Sequence, residues 1–318
     1  MDSGPERHGA GVVAEWAVDD AEAGGRLDAV VASRLGWSRG QAQARIATGR
    51  VMVDGRPAAK SDRVVAGTRV VVAEAPAPDP VPAPEGVPVR YRDAHLAVVA
   101  KPPGLVVHPG AGVRSGTLVH ALEAMGIPLA PAEDPERPGI VHRLDRGTSG
   151  LLVVACDAEA LEGLAEQLRR REVRRRYWVL VDGQPDPPSA TVEAPLGRDP
   201  RQRSRYAVDP GGRPAVTHYD VVESLGEAAR LDVRLETGRT HQVRVHLSTI
   251  GHPVCGDRTY GADPARADAL GLGRPALHAA GLGFTHPVTG EWLAFEEPLP
   301  DDLESALGVL RDRAGTQE

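Results

Sequence analysis

Aromatic side chains are scarce in this chain, at 3% of 318 residues. Each Trp or Tyr that faces solvent therefore carries more meaning than usual. Lysine is scarcer still: of 37 basic residues, only Lys60 and Lys101 are lysines. That skew, with abundant Ala, Gly and Pro, reads as a base-composition bias of the source genome. A single arginine is weak evidence on this background, while Lys101 gains interest. The two cysteines, Cys156 and Cys255, lie far apart, which excludes a disulfide-stapled secreted scaffold and fits a reducing cytoplasm; neither reads as a ligand. No apolar stretch approaches the roughly 20 residues that a membrane helix needs. The N-terminus has no basic region followed by an apolar core, so no signal peptide is expected. A cytoplasmic protein without a membrane partner is the expectation.

Cofactor signatures are missing as well. Gly110, Gly112 and Gly116 miss the dinucleotide fingerprint by one position, and no strand directly precedes them. There is no Walker sequence and no serine in a G-x-S-x-G context. His241 and His246 are five apart, not the four that chelates a metal from one helix face. Neither a metal nor a nucleotide cofactor is expected.

What is present is a folded chain of about two domains by length, with 41% apolar residues to supply cores. The net charge of −7 argues against a generally sticky nucleic-acid binder, but the charge is unevenly spread. Residues 26–73 hold nine basic residues against three acids. Residues 169–176 (RRREVRRR) hold six arginines against one acid, and residues 198–205 (RDPRQRSR) four against one. Basic blocks in an acidic protein suggest a directed polyanion-binding face; solvated helix ends or loops are the other reading.

Residues 1–24 are acidic and rich in Gly and Ala, and read as a disordered tail. Residues 25–74 read as a small unit. A first helix runs through Leu27–Val31, Ser38 caps a second helix holding Gln41 to Ala47, and Val51-Met52-Val53 leads into an Asp54-Gly55 hairpin turn. Two helices followed by β-turn-β, with arginines along the second helix, fit either an RNA-binding S4 domain or a generic cap. Residues 75–88 form a linker, with six prolines between Pro76 and Pro88. Residues 89–305 show short strands with few helices: near Leu96–Ala100, Leu151–Ala155, Tyr177–Val181, Ala215–Val222, Leu231–Leu235, Leu277–Phe284 and Trp292–Phe295. Asp157 caps a helix with Leu161, Leu164, Ala165 and Leu168 on its apolar face. Residues Thr240–Ile250 form another, with Val243, Leu247 and Ile250 buried. The pattern predicts an α+β fold with a mixed, largely antiparallel sheet. Residues 306–318 read as a C-terminal tail.

The chemistry concentrates in two segments. His142–Gly150 reads HRLDRGTSG: Asp145 sits between Arg143 and Arg146, ahead of small turn formers and an apolar strand. A reactive side chain on a loop against a core strand is held at fixed height, and the neighbouring cations favour an ionised nucleophile or base. A surface ion pair explains the same residues. Gly238–His246 reads GRTHQVRVH, a polar helix face denser than solubility requires, with His241 and Arg244 one turn apart.

These segments carry a resemblance. KPPGLVVHPG (Lys101–Gly110), GIVHRLDRGTSGLLVVA (Gly139–Ala155), RRYWVLVDG (Arg175–Gly183) and RPAVTHYD (Arg213–Asp220) resemble blocks of the RluA/RluD family of large-subunit ribosomal RNA pseudouridine synthases. TGRTHQVRVHL (Thr237–Leu247), GD-x-x-YG (Gly256–Gly261) and ALHA (Ala276–Ala279) continue the match in the family's order, behind an S4-like domain. Within the family, the blocks resemble those of the type D synthases. The resemblance implies a pseudouridine synthase fold and a cofactor-free isomerase. Asp145 matches the family's nucleophile, which acts while the uracil is detached, turned and rejoined to ribose through carbon. Tyr177 matches the tyrosine that packs on the base and takes the C5 proton, and Arg244 the arginine that pairs with the aspartate. Arg143, Lys101, Arg239 and His241 are expected substrate contacts, and His142 a loop-shaping hydrogen-bonder. Arg146 departs from the lysine of many relatives but keeps the charge.

The implied partner of a monomeric enzyme is a stem-loop of 23S rRNA in the large subunit, where a flipped uridine is cheapest. The S4-like unit would supply phosphate attraction, the linker reach, and the arginines of 169–176 and 198–205 the rim of the catalytic cleft. A tRNA target, a non-catalytic RNA-binding protein and a nucleoside hydrolase with a second carboxylate remain as rivals.

Overall fold

Residues 12–47, 49–73, 86–110, 113–202 and 205–315 are described by a computed structural model, and the chain divides into units of Met1–Pro80 and Val81–Glu318. In the first unit, strand β1 (Val12–Ala17) is followed by helices α1 (Leu27–Leu35) and α2 (Arg39–Ala47) and strands β2 (Val51–Val53), β3 (Arg56–Pro57) and β4 (Arg69–Ala73). The strands order as β1-β4-β2-β3. Ser38 caps α2 as expected: its Oγ accepts from Gln41 N at 3.3 Å while Gln41 Oε1 accepts from Ser38 N at 2.8 Å. Asp54 and Gly55 both have positive φ, which the two-residue hairpin between β2 and β3 requires. Leu27, Val31, Ala42, Val51, Val70 and Val72 close the core. Buried within this unit, Asp28 accepts from Arg26, Gln43 and Arg39, and the Arg26 hydrogen bond above all holds its carboxyl well below the usual range.

The second unit is built on a nine-stranded sheet, with a separate two-stranded sheet of the strands Leu196–Arg198 and Tyr206–Val208. Its elements are β5 (Val89–Arg92), β6 (Leu96–Lys101), α3 (Leu118–Ala124), β7 (Ser149–Ala155), α4 (Ala158–Arg169), β8 (Arg174–Asp182), β9 (Ser189–Glu193), β10 (Leu196–Arg198) and β11 (Tyr206–Val208). Then follow β12 (Val216–Leu225), β13 (Ala228–Leu235), α5 (Gln242–Thr249), α6 (Pro264–Ala269), β14 (Leu277–Thr285), β15 (Trp292–Glu296) and α7 (Asp301–Gly315). The sheet runs β5-β6-β7-β14-β8-β13-β12-β9, with β15 also on β14. Every pair is antiparallel except β7 with β14. The expected mixed, largely antiparallel α+β architecture is therefore present.

The continuous apolar runs became β6 and β7 because both strands are buried on both faces. Gly150 makes the one parallel joint possible. Its φ is +113°, and a Cβ there would stand 2.3 Å from the Ala279 carbonyl oxygen. Asp157 caps α4 by accepting from Ala160 N at 2.8 Å.

The ends differ from expectation. The predicted tail over 1–24 contains β1, paired along β4, with Val18 buried; residues 1–11 lie outside the described residues. Most of the predicted linker, residues 75–85, also lies outside them, but Val87 is already core at 1% exposure. Of the predicted tail over 306–318, residues 306–315 instead form most of α7, held by buried Leu303, Ala306, Leu307 and Leu310, while residues 316–318 lie outside the described residues. Ile250, expected in the core, is the half-exposed C-cap of α5.

Candidate active site

Asp145 stands on the segment that leads into β7, and that segment is fastened from three directions. Its own carbonyl accepts from Thr148 N at 3.1 Å, closing a turn. The next carbonyl, of Arg146, accepts from Gly104 N at 2.8 Å and from Lys101 Nζ at 3.4 Å. The Gly147 carbonyl accepts from Arg274 Nη1 at 3.2 Å, and Arg274 is itself gripped by both carboxylate oxygens of Asp302 on α7. On the near side, His142 Nε2 accepts from Val153 N at 3.3 Å, so this histidine shapes the loop. Burial pushes its pKa down to about 3, which keeps the ring neutral and able to accept.

Opposite the loop, α5 presents Arg244. Its Nη1 donates to Asp145 Oδ2 at 3.2 Å, across 99 residues of chain. The rest of the guanidinium forks onto Asp257, with Nε to Oδ2 at 2.6 Å and Nη2 to Oδ1 at 2.9 Å. Asp257 is 1% exposed and is used up by this fork and by Thr259 N. The fork fixes the plane of Arg244, so the remaining nitrogen is aimed at Asp145. Burial opposes the charge on Arg244, but the Asp257 pairing outweighs it and raises the pKa. Tyr260 packs on the guanidinium at 4.8 Å. The Tyr260 hydroxyl in turn meets His241 Nδ1 at 2.7 Å, leaving His241 Nε2 4.0 Å from Asp145 Oδ1. His241 is the N-cap of α5 with φ +60°, and burial, first among several influences, lowers its pKa. Gln242, one residue on, anchors the helix start to Val216 O and Thr237 Oγ1.

Tyr177 on β8 completes the cleft. It is 7% exposed, lines the same cavity as Asp145 with Leu144, Leu235, Val243 and Leu277, and has a phenol pKa raised chiefly by burial. Among the described residues lining this cavity, Asp145 is the one carboxylate. One acid group therefore faces an apolar wall and a fixed arginine.

Comparison with known proteins gives the family. The family model described as RNA pseudouridylate synthase matches residues 95–249, and an S4 domain matches residues 25–70. An uncharacterised RNA pseudouridine synthase of Mycobacterium bovis is 44% identical over 298 residues, covering 92% of this chain and 97% of the relative. The chain belongs to the RNA pseudouridine synthase family. It is thus an isomerase acting on RNA, with an S4 RNA-binding domain in front. A ribosomal large subunit pseudouridine synthase D of Nitrosomonas europaea is 45% identical, covering 94% of this chain and 88% of the relative. Among solved structures, human RNA pseudouridylate synthase domain containing 4 superposes with a TM-score of 0.55 at 27% identity, over 70% of this chain and 93% of that one.

The cleft brings together Asp145, Tyr177, Arg244 and His241. Arg143 is exposed at its mouth, with Nη1 3.2 Å from His108 Nε2. Arg239 is half-buried, donates to Pro214 O at 3.0 Å and lines both the cleft and an adjoining groove with Arg169, Arg171 and Arg213. Lys101 differs from expectation. At 1% exposure, with its ammonium on the carbonyls of Pro102, Leu105 and Arg146, it has no surface to offer a substrate and instead ties two loops together. The arginines of 169–176 are largely spent on partners: Arg169 and Arg170 on Glu166, Arg171 on Glu236 and Arg176 on Glu296. Asp257, Tyr260 and Arg274 were not singled out from sequence. The GD-x-x-YG block contained the first two, but nothing in its spacing told that they brace Arg244, 13 residues from Asp257.

Proposed function

We propose that this synthase isomerises uridine in a 23S rRNA stem-loop, with Asp145 as its nucleophile. The observation that carries the chemistry is the Asp145–Arg244–Asp257 chain facing Tyr177. A hydrolase of the two-carboxylate kind needs a second acid in the cleft, and Asp257 has both oxygens committed. A single oriented carboxylate suits nucleophilic displacement, in which the acid holds the sugar while the base is turned. Tyr177 offers the flipped uracil a face to stack on. Arg143 and His241 would meet the RNA at the mouth and side of the cleft, and Arg239 where the arginine groove begins. The 23S target rests on the large-subunit relatives, and sequence-independent phosphate attraction on the S4 unit.

Base-by-base mapping of pseudouridine in a strain lacking the gene tests the target. Specific 23S sites should lose pseudouridine and regain it with the wild-type gene but not with Asp145→Asn. Loss confined to tRNA would overturn the target, and an unchanged map the whole reading.

A further inference from the structure

Two polar groups on the wall of the cleft have unmet hydrogen-bonding capacity. Thr148 Oγ1 and Arg175 Nε are sealed from solvent without a hydrogen-bond partner among the described residues, and both residues line the cavity of Asp145. Buried polar groups are paired in the great majority of cases, so each exception calls for a reason. Arg175 is the more costly one. It is 7% exposed and forms no ion pair among the described residues, whereas its neighbours Arg171 and Arg176 pair with Glu236 and Glu296. Among the described residues, its one side-chain hydrogen bond runs from Nη2 to the Glu236 carbonyl at 3.1 Å. It lies two residues before Tyr177 on β8, so the two side chains share a face of the strand.

Gly238 leaves room for this guanidinium, since a Cβ there would stand 2.6 Å from Arg175 Nη1. The burial that lowers its pKa marks a cation held where charge is unfavourable. An uncompensated buried charge weakens the folded protein. It is explained if the missing counter-charge arrives during the reaction.

We propose that Arg175 is a further catalytic residue, stabilising the negative charge of the uracil while it is detached from the ribose. This deepens the Asp145 reading and rests on it. When the C1′–N1 bond breaks, its electron pair leaves with the uracil, which gains one negative charge, and the Asp145 carboxylate bonds to C1′. On rejoining, C5 supplies the pair to C1′, the carboxylate is released, C5 loses its proton and N1 takes one up. Between the two steps the base is an anion beside Tyr177, in a site of low dielectric where a fixed cation acts strongly.

The test compares Arg175→Met, Arg175→Lys and Gly238→Ala with wild type and Asp145→Asn, on 23S rRNA transcript, by single-turnover rate, RNA affinity and thermal midpoint. Arg175→Met should lower the rate about a hundredfold at unchanged RNA affinity while the midpoint stays level or rises. Arg175→Lys should recover part of the rate, and Gly238→Ala should lose part of it by displacing the guanidinium. A wild-type rate in Arg175→Met, with Asp145→Asn inactive, would overturn the role of Arg175 alone; activity in Asp145→Asn would overturn the underlying reading. A loss in affinity without loss in rate would make Arg175 a phosphate contact. A fall in midpoint with the rate would make it structural, and recovery of the rate at high pH would mean that it acts only through Tyr177. Each of these three overturns the proposal.

Discussion

At the scale of single residues, the site depends on one arginine doing two things. Arg244 can reach Asp145 only because Asp257 holds its other edge, and a fork needs a planar guanidinium. Arg244→Lys keeps the charge but not the fork. The rate of pseudouridine formation should fall by about two orders of magnitude, on the scale of losing one oriented donor, while circular dichroism still reports a folded protein. Lys101 gives a prediction of a different kind. Burial lowers its pKa to about 7 against an ordinary 10.5. Between those values the unfolded chain binds more protons than the folded one, so this residue makes stability rise with pH. Lys101→Met should flatten the rise in urea midpoint between pH 7 and pH 9; an unchanged slope would exclude Lys101 as its source.

The same residues show what a sequence tells about a site. Asp145 stood out because a charged turn abuts an apolar strand, but only the matching family blocks, which also held Tyr177 and Arg244, set it apart from a surface ion pair. Asp257 did not stand out, since its role exists only when α5 and the loop before α6 meet. Arg175 was hidden by composition: in a chain whose bases are nearly all arginine, one more in RRREVRRR carries no signal until its burial is known.

At the scale of elements, the parallel joint between β7 and β14 sets the height of the Asp145 loop. Gly150→Ala should destabilise the protein by at least about 3 kcal/mol, since it combines a strained φ with a backbone clash. A urea midpoint equal to wild type would contradict this. Helix α7 reaches the same loop through Asp302, Arg274 and the Gly147 carbonyl. Asp302→Ala should lower the turnover rate several-fold with unchanged RNA affinity, because it loosens Arg274 without touching the cleft. The strands were the legible elements, since continuous apolar runs bounded by Gly and Pro have few alternatives. Helix α7 was missed, taken for a tail, although Leu303, Ala306, Leu307 and Leu310 keep the helical period behind an acidic first turn. Strand β1 was not legible, because a short run between acids becomes a strand only when β4 is there to pair.

At the scale of the whole molecule, a net charge of −7 coexists with a basic stretch over residues 26–73. Attraction to RNA should therefore be local and salt-dependent. The logarithm of RNA affinity should fall linearly with that of salt concentration, with a shallower slope once residues 1–85 are removed. Residues 86–318 hold their own sheet and core and should still unfold cooperatively. The central claim, however, concerns one carboxylate, and the most direct measurement follows the hydrogen that the reaction must release. Joining C5 to C1′ expels the C5 hydrogen, so 23S rRNA transcript labelled with tritium at C5 of uridine reports each turnover. Wild-type enzyme should release tritium, while Asp145→Asn should release none yet bind the transcript with wild-type affinity. Release by Asp145→Asn at the wild-type rate would contradict the account.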